Sequence, residues 1–153
     1  MNNVGSRRSA VGSRLKVAYF CLLLSATCLL ACSVPNLEPP ACTEARTAIR
    51  EFYSFHFGND MKFSPENLKL RERFLTAELS ERLAAAQEGV DPFTTGTSDF
   101  PKAFRVGECN EISPAQTEFQ VLLFWRDDTR NEQREIKVAA TQQNEKWLID
   151  KVF

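Results

Sequence analysis

The sequence predicts an α+β domain behind a cleavable N-terminal leader. Two observations carry the fold class: apolar residues recur every three or four positions as far as about residue 87, and from residue 104 onward they alternate every second position. Helices first and consecutive strands afterwards argue for N-terminal helices packed in the concave face of a curved antiparallel sheet. The third observation is a basic and then apolar start closing on Leu29-Leu30-Ala31-Cys32. It divides the chain into a leader at 1–31, a lipid-bearing cysteine with a tether at 32–41, and the folded domain at 42–153.

The leader has the parts that secretion requires. Arg7, Arg8, Arg14 and Lys16 precede any acidic residue, which keeps the start of the chain on the cytoplasmic side while Val17 to Ala31 enters the bilayer. As a helix that 15-residue run spans roughly 22 Å, short of the ~30 Å hydrocarbon core, so cleavage is expected. Leu29-Leu30-Ala31-Cys32 resembles the lipobox of bacterial lipoproteins, in which a peptidase cuts before a diacylglyceryl-modified cysteine whose freed amine is then acylated, commonly with palmitate. Leu30 departs from the pattern, since a small or β-branched residue is commoner there. Ordinary signal cleavage near the same point and an uncleaved anchor are the alternatives. Ser33 in place of aspartate resembles lipoproteins sorted to the outer membrane of Gram-negative cells, facing the periplasm.

Five cysteines fit this reading. Cys21 and Cys28 leave with the leader and Cys32 is alkylated, so Cys42 and Cys109 remain as an even pair in an oxidising compartment. A Cys42–Cys109 disulfide is expected, the alternative being two buried free thiols. Charge shifts in the same direction. The chain has 19 basic and 20 acidic residues; with four basic ones in the leader, 15 basic against 20 acidic remain, a net charge of −5. Phosphate backbones repel such a domain, and no basic stripe with interleaved aromatics appears, so nucleic acid is not an expected partner.

Taken in order, Ser33 to Pro40 reads as an extended tether because Pro35, Pro39 and Pro40 fix φ and remove amide donors. Thr43 then caps a helix whose face carries Ala45, Ala48, Ile49, Phe52, Tyr53 and His56. Phe55 and Phe57 widen that face beyond what a helix lying flat on a surface needs, which points to a sheet wrapped around it. Gly58-Asn59 ends it. Ser64-Pro65-Glu66 supplies a cap, a first-turn proline and an acid favoured by the helix dipole. Phe74, Leu75, Leu79 and Leu83 continue helical spacing to about Gln87, with Thr76 capping a second piece and Gly89 stopping it. Gly89 to Pro101 is loop. Four strands follow, at Phe104 to Cys109, Gln116 to Arg126, Glu132 to Thr141 and Lys146 to Phe153, with Phe119, Val121, Leu123 and Trp125 facing one way.

This order, together with Ile49-Arg50-Glu51-Phe52-Tyr53, the Phe74-Leu75-Thr76 step, Asp91-Pro92-Phe93 and Trp147-Leu148-Ile149-Asp150-Lys151-Val152, resembles the cone-shaped nuclear-transport-factor-2-like superfamily. Within it, the chain is most similar to a bacterial branch of secreted lipoproteins classed as a domain of unknown function. The likeness runs from about Cys42 to Phe153 and rests on packing residues, so it implies a fold more than an activity. The superfamily includes isomerases, dehydratases and cyclases beside non-catalytic binding modules. Its sheet faces often pair, which makes a homodimer one expectation.

In the enzymes of that superfamily a histidine and carboxylates at the cone mouth move protons, which makes His56, Asp60, Asp91 and Asp99 the catalytic candidates here. No family catalytic motif matches them closely. The plain alternative is a core or rim histidine with one hydrogen bond, and aspartates that form turns. Trp125 and Trp147 face a ligand or the core; strand alternation puts at least one in the core. One histidine and two paired cysteines do not make the usual zinc set, no carboxylate run has calcium-loop spacing, and no Gly-rich phosphate loop is present, so neither metal nor cofactor is expected. Two function classes result. One is an envelope lipoprotein whose non-catalytic domain binds a small apolar ligand or a periplasmic protein, an immunity protein against a periplasmic toxin being one version. The other is a cone-cavity acid–base enzyme using His56 with an aspartate.

Overall fold

Four strands and a long helix dominate the computed structural model, which describes residues 37–153. The expected leader, the lipid site Cys32 and residues 33–36 of the tether lie outside the described residues. Glu38–Phe153 forms one compact unit that contains the entire described core and its disulfide.

Helix α1 spans Pro40–Phe57. It starts earlier than the expected Thr43 cap: Pro39 is the cap residue and Pro40 the first helical position, where a fixed φ suits the helix and a missing amide proton costs nothing. Thr43 lies inside the helix and its amide donates to Pro39 O at 3.0 Å. Pro40 and Ala41, expected in the tether, therefore belong to the fold. The buried face carries Ala41, Cys42, Ala45, Ile49, Phe52, Tyr53 and His56.

Helix α2, Pro65–Arg71, begins as its sequence predicts: Ser64 Oγ accepts from Asn67 N at 3.2 Å, and Pro65 and Glu66 occupy the first turn. A 3-10 turn, Glu72–Phe74, leads to helix α3, Ala77–Leu83, capped by Thr76 Oγ1 accepting from Leu79 N. The helical spacing expected to run to Gln87 stops at Leu83; beyond it the chain turns, and Gly89 adopts φ +83° while its amide donates to Phe63 O. That left-handed position is open to glycine at little cost.

The sheet is an antiparallel meander in the order β1-β2-β3-β4: Ala103–Ser113, Gln116–Arg126, Asn131–Gln143 and Lys146–Val152. Its first strand runs four residues past the expected end at Cys109, because Asn110, Glu111 and Ser113 keep pairing with β2. Phe119 pairs with Val138 and Val121 with Ile136, placing both pairs on the inner face against α1. Irregularities between Val106 and Cys109, between Glu111 and Ser113, and between Ala139 and Ala140 bend the strands. At the first of them two successive carbonyls accept from one guanidinium, Arg46 Nη1 donating to Val106 O at 3.2 Å and Gly107 O at 2.7 Å. The opposite edge is met by Leu75, bridged to Ile149, with Thr76 N donating to Ile149 O at 2.9 Å. The β3–β4 turn holds Asn144 and Glu145 at φ 50° and 62°. Cys42 and Cys109 are bonded, with Cα atoms 5.9 Å apart, so the disulfide ties α1 to β1.

Candidate functional site

Of the four catalytic candidates, two come together. His56 and Asp91 are fully buried, one from the last turn of α1 and the other from the loop before β1. His56 Nε2 lies 3.1 and 3.0 Å from the two Asp91 carboxylate oxygens. Arg71, at the end of α2, donates from Nε to His56 Nδ1 at 2.8 Å. A guanidinium can only donate, so Nδ1 is the acceptor and Nε2 carries the proton given to Asp91. The imidazole is thus a neutral spacer between a buried cation and a buried anion.

Every remaining polar group in the cluster is engaged. Asp91 also accepts from Phe93 N at 2.9 Å and Thr94 Oγ1 at 2.7 Å. Arg71 Nη1 donates to Asn67 O and Nη2 to Asp60 O, each at 2.8 Å. Tyr53 Oη donates to Phe93 O at 2.8 Å. Burial, helped by the Asp91 charge, holds the Tyr53 phenol well above its usual range. Burial also lowers Arg71, opposed by the charges of Asp91 and Asp60. Aromatic rings close the site: Phe52 stacks on His56 at 5.5 Å and Phe93 meets it edge-on at 5.2 Å. Neither ring nitrogen of His56 is left for a substrate.

The other two candidates work elsewhere. Asp60 is exposed; its carboxylate accepts from Lys62 N, and only its carbonyl reaches the Arg71 end of the cluster. Asp99 lies beside the β2–β3 hairpin, where it accepts from Arg130 Nη1 at 3.0 and 2.9 Å while its carbonyl takes the Trp125 indole proton. Arg71 went unrecognised within the charged run Lys69-Leu70-Arg71-Glu72-Arg73. The signal was its spacing: three residues after Leu68, it shares the buried face of α2.

An open concavity lies on the outside of the fold, between α1, the 3-10 turn and the start of β4. It has a volume of about 700 Å³ and is lined by Ala48, Phe55, Phe74 and Trp147 with Glu44, Glu51, Arg73 and Lys146 around them. Phe55, expected on the inward face of α1, contributes to this groove. Arg73 lies over the rings of Phe55 and Phe74, 4.8 and 4.6 Å from their centroids. Trp147 is mostly buried and its indole donates to Glu44 Oε2 at 3.2 Å.

No family model matches the chain, and no curated protein matches it. Among solved structures, a protein of unknown function from Bacteroides thetaiotaomicron VPI-5482 is similar, with a TM-score of 0.51 and 24% sequence identity over 72% of this chain and 89% of that one. At this identity the likeness carries the fold, an α+β arrangement of helices on an antiparallel sheet, and not an activity.

Proposed function

We propose that this chain is an envelope lipoprotein, anchored through acylated Cys32, whose nuclear-transport-factor-2-like cone is a non-catalytic binding domain. The observation that carries the non-catalytic reading is the closure of His56: both ring nitrogens are engaged, by Arg71 and Asp91, with no exposed surface. An acid–base enzyme needs one nitrogen within reach of substrate. The outer groove, with its aromatic floor and volume in the range of small-ligand sites, is the surface on which binding takes place. The envelope location is supported by Leu29-Leu30-Ala31-Cys32 and by a paired Cys42 and Cys109, which suit an oxidising compartment. In a Gram-negative host Ser33 favours the outer membrane.

Titrating isotope-labelled residues 38–153 with a set of small apolar fragments, read by NMR, tests the assignment of the surface. The backbone amides of Ala48 and Phe55 and the indole proton of Trp147 are expected to move while His56 stays silent. Shifts centred on His56 and Asp91 would overturn this reading and restore the interior as the working site.

A further inference from the structure

The charges around the outer groove are sorted by wall. Glu44 and Glu51 are seven residues apart on α1, so they share one stripe of the helix, about 10 Å from end to end. Arg73 and Lys146 line the opposite side, from the 3-10 turn and the first residue of β4, and Lys146 Nζ donates to Arg73 O at 2.6 Å. All four side chains are exposed, and among the described residues none belongs to an ion pair. Arg73 is instead held by its contacts with Phe55 and Phe74, while Lys146 is tied to the Arg73 carbonyl. Two cations are thus kept adjacent without an anion, and two anions on α1 without a cation, Glu44 accepting the Trp147 indole proton and Glu51 standing beyond it, around an apolar floor of Ala48, Phe55, Phe74 and Trp147.

Resting on the binding role proposed for this groove, we infer that its ligand is a small zwitterion with an apolar side chain, the chemistry of a free hydrophobic amino acid or dipeptide. Its carboxylate takes Arg73 and Lys146, its ammonium takes Glu51 and Glu44, and its side chain packs beside the Arg73 guanidinium against Ala48 and the rings of Phe55 and Phe74. A purely anionic amphiphile would satisfy the basic wall but lay its apolar body against Glu51, and burying an unpaired carboxylate is costly. A cationic one fails in the same way at Arg73. Only a ligand carrying both signs meets both walls, and charge-assisted hydrogen bonds to each end add to the burial of its side chain.

The test uses residues 38–153 with three probes: leucyl-phenylalanine, its N-acetyl amide, and N-acetyl-leucyl-phenylalanine, which keeps only the carboxylate. Binding is followed through the Trp147 indole proton and the Phe55 and Arg73 amides by NMR. The zwitterion is expected to bind with submillimolar affinity, each charge removed weakening it by about fivefold. Glu51→Gln and Arg73→Gln, both exposed positions that leave the core untouched, are expected to weaken the zwitterion, the first levelling it with N-acetyl-leucyl-phenylalanine and the second reducing the advantage of N-acetyl-leucyl-phenylalanine over the N-acetyl amide. Equal binding of all three probes at these resonances would overturn the inference while leaving the groove as the binding surface. Tighter binding of the N-acetyl acid would overturn it in favour of an anionic amphiphile. Concentration-dependent shifts of the same resonances without any probe would give the groove to a second copy of the chain and overturn it. Silence of the groove toward every probe up to the millimolar range would overturn both the inference and the binding role.

Discussion

His56 stands between Arg71 and Asp91, so removing it breaks two charge-assisted hydrogen bonds at once. His56→Ala leaves a buried guanidinium and a buried carboxylate with a gap between them. A loss of about 3–5 kcal/mol is expected, measured by urea unfolding of residues 38–153. Tyr53 provides a sharper readout, because it is the single tyrosine after residue 19. Its folded-state ionisation lies above its unfolded value, so its contribution to stability is complete below pH about 10 and is lost as the pH rises beyond that. Tyrosinate absorbance is therefore expected to appear only together with unfolding in an alkaline titration of residues 38–153. Absorbance rising ahead of the loss of circular dichroism would show that the phenol is accessible in the folded state. Tyr53→Phe is expected to cost about 1–3 kcal/mol at neutral pH by leaving the Phe93 carbonyl without its donor. In the sequence, His56 and Asp91 could be chosen as chemically capable residues, but their pairing could not be read. They are 35 residues apart, and only the loop that returns Asp91 to the end of α1 joins them. Arg71 is not singled out by the sequence, because burial of an arginine depends on partners that a local pattern does not reveal.

At the scale of elements, signals carried by one residue and its immediate neighbours were legible. Ser64 and Thr76 cap the helices that their spacing predicts, and β2 has the bounds that its alternation marks out. Signals open to two readings were resolved by geometry. Pro39 and Pro40 read as extended tether, yet a proline at the first helical position is equally favourable, and the disulfide at Cys42 holds that first turn to β1. The end of β1 was missed because Asn110-Glu111 has little strand propensity, and pairing with β2 overrides it. The β3–β4 turn leads to a prediction of its own. Glu145 occupies a left-handed conformation that suits glycine at the second place of a tight hairpin. Glu145→Gly is expected to stabilise the domain by about 1 kcal/mol, seen as a higher urea midpoint at unchanged slope.

For the molecule as a whole, cysteine arithmetic was the most productive reading, since it set Cys42 and Cys109 apart as a pair before any contact was known. The disulfide closes a loop with a sequence separation of 67, and loop entropy assigns it about 4 kcal/mol. Changing both cysteines to serine is expected to lower stability by up to that amount, measured by urea unfolding. The same arithmetic places Cys32 outside the pair. Cells fed an alkyne analogue of palmitate are expected to label the full chain and not its Cys32→Ala variant; equal labelling of both would remove the anchor. The outer groove was not visible in the sequence because its walls come from three elements, and Phe55 looked like part of the inward face. A pH effect also belongs to this scale. Glu38 is held below its usual value chiefly by its hydrogen bond to Arg46, so the stability it contributes is present above pH about 4.5 and is lost as the carboxylate protonates below that. Glu38→Gln is expected to cost up to about 1 kcal/mol at neutral pH, the difference from wild type closing in acid.

Arg46 has a second effect through the carbonyls of Val106 and Gly107. An open sheet offers two rows of unsatisfied backbone groups on which a strand from another molecule can crystallise, and high local crowding would make such growth a hazard. Here a guanidinium occupies the acceptors at the bend of β1, and the Thr76 amide occupies one on β4. Both margins of the sheet are interrupted where a templating strand would need an unbroken ladder.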